Sequence, residues 1–246
     1  MTNPSFGPIA PHYDQLMSAV PYRMWVEYLK LLLMRQGNPT MNLLDVCCGT
    51  GTMAEMLVQD CYEVTGFDLS EPMIASAKEK AQRLGLEIQY FVADARNFEV
   101  PGKFGAAFSF FDSLNYIPEL EGFRSAIASV ARHLEPEGSF IFDLNTAFAF
   151  EADMFSQKDM RKKTDLKYDW HGNYDQDSRI IEVKMDFWKG DQHLSETHVQ
   201  RAHSDAEVRQ ALADAGFGEI EAFESYTLRK PRKTSDRIHY AARYLP

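Results

Sequence analysis

The segment DVCCGTG, Asp45 to Gly51, concentrates the residues best suited to hold a small charged ligand: one acid, two thiols and two glycines. An acidic residue closing a strand, with glycines where the next helix begins, lets a carboxylate and bare backbone N–H groups approach a ligand closely. Gly49, Gly51 and Ala54 also fit the G-x-G-x-x-A spacing of a dinucleotide loop, so this segment alone leaves a nicotinamide-dependent oxidoreductase open. Asp45 weighs against that reading, because a carboxylate ahead of the glycines repels a pyrophosphate and suits a positively charged amino group. Asp68 and Asp94 then stand where the next two strands end, and each could simply cap the turn that follows. Asp68 can instead accept both hydroxyls of a ribose, and Asp94 can meet an adenine amino group. Three carboxylates at three successive strand ends describe one nucleoside with a cationic tail.

Further candidates lie downstream. Asn115 and Tyr116 follow the fourth expected strand at the carboxyl edge of the sheet, where doubly wound folds bind ligands. His198 and His203 flank Arg201, and a histidine there serves either as a base or as the partner of a nearby carboxylate. No H-x-x-x-H pair or carboxylate cluster of ligand spacing accompanies them, so no metal is expected.

The elements that must position these residues are legible from residue 42 onward, where short apolar runs alternate with amphipathic segments of helical length. Strands are expected at Asn42 to Cys47, Tyr62 to Phe67, Glu87 to Ala93, Phe104 to Phe111 and Ser139 to Leu144. Helices are expected at Tyr22 to Arg35, Thr52 to Gln59, Glu71 to Leu84 with Ser70 as N-cap, and Leu120 to Leu134. Residues 165 to 201 alternate with a period of two, which predicts a three-stranded antiparallel meander inserted after the fifth strand. Ser204 and Glu207 form a capping box ahead of a helix to Ala215, and strands at Glu219 to Leu228 and Asp236 to Arg243 bring the main sheet to seven. The expected fold is α/β: one doubly wound domain over residues 1–246, with an N-terminal cap at 1–37 and a substrate-covering insert at about 150–202.

The runs DVCCGTG, GFDLSEPMI, VADARNF and HLEPEGSFIFDL, in this order over residues 42–144, resemble the class I S-adenosylmethionine-dependent methyltransferase family. The resemblance implies a Rossmann-like methyltransferase fold and S-adenosylmethionine as the cofactor. Asp45 and Gly49 would line its methionine and sulfonium portion, Asp68 would hold the ribose, Leu69 and Met73 would flank adenine, and Asp94 with Ala95 would read its edge. Cys47 stands where the family often has glycine, and Gly51 completes the turn. The segments ETHVQRAHSDAEVRQALADAGF and TSDRIHYAARY are similar to a bacterial branch of small-molecule methyltransferases, as are Tyr13-Asp14 and the run from Phe111 to Tyr116. In that likeness the N-terminal aromatics Tyr13 and Trp25 would close over the cofactor and the meander would roof the acceptor; Cys47, Gly51 and Phe110 are further cofactor-side candidates, and Asp112, Asn115, Tyr116 and His198 are the candidates on the acceptor side. As residue types alone, Met73, Tyr13 and Trp25 could equally be core. A module that binds the cofactor without turnover is the alternative within the same site.

Composition narrows the acceptor. A formal charge of −10 over 246 residues disfavours proteins that track nucleic acid or lie on anionic membranes, which leaves a small molecule. The basic runs at 161–163 and 229–233 read as solvated loops. Three cysteines fit no paired disulfide framework, the first residues lack a basic-then-apolar leader, and no apolar run nears the ~18 residues of a membrane span, so a cytoplasmic enzyme is expected. The unpaired edge of a three-stranded meander makes a homodimer the expected assembly.

Overall fold

The computed structural model describes residues 9–161 and 165–246. The start of the expected leaderless N-terminus and Lys162 and Lys163 of the basic run therefore lie outside the described residues. The main sheet has seven strands in the order β10-β11-β5-β4-β1-β2-β3. They are β1 (Asn42–Val46), β2 (Glu63–Asp68), β3 (Gln89–Val92), β4 (Phe104–Ser109), β5 (Leu134–Asn145), β10 (Phe217–Glu224) and β11 (Arg237–Tyr244). All neighbours pair in parallel except at β11, which runs antiparallel to both β5 and β10.

β1 explains why the sheet is doubly wound. Its consecutive residues Leu43 and Leu44 are both fully buried, each in a different core. One core is built with the helices α5 (Leu120–His133) and α7 (Asp205–Asp214), the other with α2 (Tyr22–Arg35), α3 (Thr52–Gln59) and α4 (Glu71–Leu84). A strand buried on both faces cannot alternate apolar and polar, which is why the adjacent Leu43 and Leu44 are both apolar. The chain order reverses between β1 and β4, and in such sheets the crevice at that reversal, beyond the carboxyl ends of the strands, is where ligands bind.

Caps fix the helix ends. Ser204 and Glu207 make both hydrogen bonds of the expected capping box. Ser70 does occupy the N-cap of α4, but its side chain makes no capping hydrogen bond; the carboxylate of Asp68 instead accepts the Ser70 N–H at 2.8 Å.

The insert is a second sheet with four strands, not three. β7 (Leu166–Asp175), β8 (Ile180–Lys189) and β9 (Gln192–Arg201) form the expected meander, and β6 (Gln157–Asp159) adds a short antiparallel edge to β7. β6 is only three polar residues, QKD, too short to show an alternation. A short polar edge is itself a device against pairing with another chain, so the odd-strand reason for a dimer falls away. The insert has its own core, in which Ile181, Val183, Met185 and Phe187 of β8 pack with Phe150 of α6 (Ala147–Glu151) and with Ile9. Among the described residues no helix is long and apolar enough to cross a membrane.

Candidate active site

A cleft of about 900 Å³ opens over the carboxyl ends of β1, β2, β3 and β4, with the insert and the N-terminal segment forming its other walls. Tyr13, Trp25, Asp45, Cys47, Gly49, Asp68, Leu69, Met73, Asp94, Ala95, Phe110, Asp112 and Tyr116 all line it.

The floor is the turn after β1. Cys47 takes a left-handed backbone conformation at φ 61°, which L side chains adopt at a cost of about 1 kcal/mol and glycine adopts freely. Gly49, at φ 55°, faces open space, so its backbone is bare toward the cleft. Gly51 is different: it does not line the cleft, and its missing Cβ makes room for the Tyr90 ring behind the loop.

Asp68 locks the floor in place. One carboxylate oxygen accepts the Gly49 N–H at 2.9 Å and the other the Ser70 N–H at 2.8 Å. Each oxygen retains acceptor capacity for a hydroxyl above it. Burial pushes the Asp68 carboxyl up from its usual range, against the pull of those amides. Asp45 is 4% exposed, and burial together with neighbouring Asp68 pushes its carboxyl well up. A carboxylate so placed favours a ligand that brings its own positive charge. Asp94 is more open, and the Arg96 guanidinium beside it holds its carboxyl below the usual range.

The N-terminal segment closes this half. In α1 (Tyr13–Leu16), Asp14 accepts the Thr50 hydroxyl at 2.6 Å and pairs with Lys80 of α4 at 2.8 Å, which ties the segment to the floor. Tyr13 is 9% exposed and packs with Met73 and Met17. Trp25 packs on Phe111 and stacks on Tyr226, with ring centroids 5.0 and 5.4 Å apart.

The other half of the cleft is a polar network. Arg237 of β11 is half-buried, with its side chain 14% exposed, and donates to Asp112 at 2.8 Å and to Asp143 of β5 at 2.6 Å. Gln200 of β9 donates to the other Asp112 oxygen at 2.8 Å. Burial and the nearby Asp143 push the Asp112 carboxyl up, while Arg237 and Gln200 pull it back. Tyr116 bonds His198 at 2.9 Å, and His198 bonds Glu196 at 2.8 Å. Tyr168 and Trp170 of β7 and Met185 of β8 add an apolar wall.

Two expected acceptor-side residues do not reach the cleft. Asn115 is fully buried: it donates to the carbonyls of Asn145 and Arg201 and accepts the Asn145 N–H, bracketing β5 and β9 together. His198 stands behind Tyr116, not on the surface of the cleft. His203 is structural, stacked on Phe123 and bonded to the Ile117 carbonyl at 3.0 Å. Arg237, Gln200 and Glu196 were missed, although the alternation Glu196-x-His198-x-Gln200 puts three polar side chains on one face of an otherwise ordinary strand.

The arrangement suits a ligand that is cationic at one end, carries a diol over Asp68 and reaches Asp94, with room beside it for a second molecule. A family model for a methyltransferase domain matches residues 43–138. The chain is 31% identical over 240 residues to the Bacillus subtilis (strain 168) protein named "Putative methyltransferase YqeM", covering 94% of this chain and 93% of that one. It is also 31% identical over 195 residues, 75% of this chain and 79% of the relative, to a Streptomyces venezuelae dTDP-3-amino-3,4,6-trideoxy-alpha-D-glucopyranose N,N-dimethyltransferase. The crystal structure of an S-adenosylmethionine-dependent methyltransferase from Clostridium acetobutylicum ATCC 824 superposes with a TM-score of 0.85 at 23% identity, over 99% of this chain and 100% of that one. With these motifs on this sheet, and with sequence identity over nearly its whole length, the chain belongs to the class I S-adenosylmethionine-dependent methyltransferases.

Proposed function

We propose that this chain methylates a small molecule held between the sheet edge and the insert, with S-adenosylmethionine lying along the ends of β1, β2 and β3. The cofactor, when bound, supplies an activated methyl group on a sulfonium, so the protein's task is to align a nucleophile and exclude water. Asp45 and Gly49 take the amino-acid end, Asp68 the ribose, Leu69 and Met73 the faces of adenine, and Asp94 with Ala95 its edge. Asp14, through Thr50 and Lys80, holds Tyr13 over that half and keeps solvent out. The observation that carries this reading is the set of three carboxylates, Asp45, Asp68 and Asp94, along one wall of a single cleft.

The cleft volume, the net charge of −10 and the sugar-nucleotide substrate named for the Streptomyces venezuelae relative support a small acceptor over a nucleic acid. Free thiols at Cys47, Cys48 and Cys61 suit a reducing compartment, and we place the enzyme in the cytoplasm. Calorimetric titration with S-adenosylmethionine tests the assignment. Wild type binds, and Asp68→Ala binds on the order of 100-fold more weakly, because two hydrogen bonds to ligand and the anchoring of Gly49 go together. No binding heat with wild type overturns the reading.

A further inference from the structure

On the acceptor side three side chains form a line that leads away from the cleft. Tyr116, in the turn Ser113–Tyr116, lines the cleft and bonds His198 Nδ1 at 2.9 Å, with its ring edge-on to the imidazole. His198 Nε2 faces Glu196 Oε2 at 2.8 Å, and the two side chains are only 1% and 8% exposed. The second oxygen of Glu196 accepts the backbone N–H of Ile9 at 3.2 Å, which fixes the carboxylate from the N-terminal side. A carboxylate can only accept, so neutral His198 places its proton on Nε2 and leaves Nδ1 to accept the Tyr116 O–H. Every donor in the line therefore points away from the cleft.

We propose that Tyr116, His198 and Glu196 are a proton relay that deprotonates an ammonium acceptor, making this chain an N-methyltransferase of small amines. The proposal rests on the cleft being the S-adenosylmethionine site. An amine enters protonated and cannot attack until one proton leaves. That proton passes to the Tyr116 oxygen while the phenolic proton moves to His198 Nδ1, leaving an imidazolium against the Glu196 carboxylate. The lone pair exposed on nitrogen forms the N–CH₃ bond, and the S–CH₃ bond of the donor breaks with its electron pair staying on sulfur. One proton and one methyl have moved, and total charge is unchanged.

The groups around the relay favour this direction. Tyr13, Asp112, Glu196 and Gln200 face Tyr116, and burial together with Asp112 and Glu196 pushes its phenol far up. Tyr116 therefore stays protonated and works as a shuttle, not as a phenolate. Arg201, a cation on the same strand as His198, pairs with Glu207 at 2.7 Å. Two carboxylates, Asp112 and Asp143, share the single guanidinium of Arg237, so this half of the cleft carries surplus negative charge that attracts an ammonium. Proton affinity selects the amine as well. Moving a proton from an alkylammonium to imidazole is uphill by about 4 pH units on ordinary values. An unactivated alcohol, close to water in acidity, lies uphill by roughly 9 units.

The test uses tritium-labelled S-adenosylmethionine with a mixture of aliphatic, benzylic and sugar amines and the matching alcohols. Label is expected in amines and not in alcohols. For the amine that is labelled, Tyr116→Phe is expected to lower kcat about 100-fold with the affinity for S-adenosylmethionine unchanged, and its residual rate climbs with pH as free amine appears in solution. Glu196→Gln, nearly isosteric, lowers kcat about tenfold and shifts the rising limb of the pH profile, which a purely structural role would not move. Nitrogen NMR of His198 without substrate reports the Nε2–H tautomer in wild type and in Tyr116→Phe, where Glu196 still accepts that proton, and its loss of preference in Glu196→Gln. Label confined to alcohols, no label in any amine, or wild-type kcat and pH profile in folded Tyr116→Phe overturns the relay. Failure of wild type to bind S-adenosylmethionine would instead overturn the cofactor site on which it rests.

Discussion

The phenol of Tyr90 occupies the space that a Cβ on Gly51 would need, so the floor of the cleft and the third strand are fitted to each other through a missing methyl group. Gly51 also sits at φ 77°, so any side chain there meets both a clash and a disfavoured backbone. Gly51→Ala is expected to cost about 2–4 kcal/mol in urea unfolding, the sum of overpacking and left-handed strain. Adding Tyr90→Leu should return the clash component and leave about 1 kcal/mol of backbone strain. A loss below about 0.5 kcal/mol in the single variant would show that the loop simply shifts aside.

The tie from Asp14 to Thr50 and Lys80 makes a second prediction. Asp14→Ala removes one hydrogen bond and one ion pair that hold Tyr13 over the cleft. S-adenosylmethionine affinity should fall roughly fivefold to tenfold, seen mainly as faster release in stopped-flow displacement. Unchanged release would mean that Tyr13 and its neighbours stay closed by packing alone.

Arg237 carries a larger burden. Replacing it with methionine leaves Asp112 and Asp143 buried without their cation, which is expected to cost about 3–5 kcal/mol. Burial already pushes the Asp112 carboxyl up and Arg237 pulls it back, so without the cation Asp112 takes a proton more readily and the deficit in thermal unfolding should be smaller at pH 5 than at pH 8. Arg237→Lys should not restore the wild type, since one ammonium cannot reproduce a fork that serves two carboxylates.

Two buried histidines set the acid limit. Burial lowers His203 and His239 to about 4 from an ordinary value of 6.5. The unfolded chain therefore binds more protons than the folded one between those values. The neutral, buried histidines impose no penalty above pH ~6.5, and stability falls steadily as pH drops toward ~4, by up to about 3 kcal/mol for each site. Urea unfolding from pH 7 to pH 4 should show this slope, and His203→Gln should flatten it. A variant slope equal to wild type would show that His203 titrates normally.

What the sequence disclosed follows from how local each signal is. Asp45, Asp68 and Asp94 each stand at or just past a strand end beside a turn, so their place at the cleft could be read from a few neighbours. The Ser204–Glu207 box is local in the same way, and it formed as expected. Arg237 lies 125 residues from Asp112 and 94 from Asp143, and nothing near position 237 announces two carboxylate partners. Asn115 was misjudged for the same reason. Its place after β4 is right for a ligand contact, but its partners on β5 and β9 turn it inward. β5 begins at Leu134 and not at Ser139, because Glu137 takes φ 65° and the register against β4 shifts, a bulge that Pro136 and Gly138 disguise as a loop.

The insert has one more consequence. Its strands come from a single uninterrupted stretch between α6 and α7, while the residues assigned to the cofactor come from the ends of β1, β2 and β3. The proposed donor site and the proposed acceptor wall thus draw on separate stretches of the chain, and β7 and β8 contribute no residue to the DVCCGTG turn. The boundary is crossed along β9, where Glu196 accepts from Ile9, His198 meets Tyr116, Gln200 donates to Asp112 and the Arg201 carbonyl accepts from Asn115. A chimera that imports a new roof would need to keep β9 with Glu196, His198 and Gln200 and could replace most of β7 and β8.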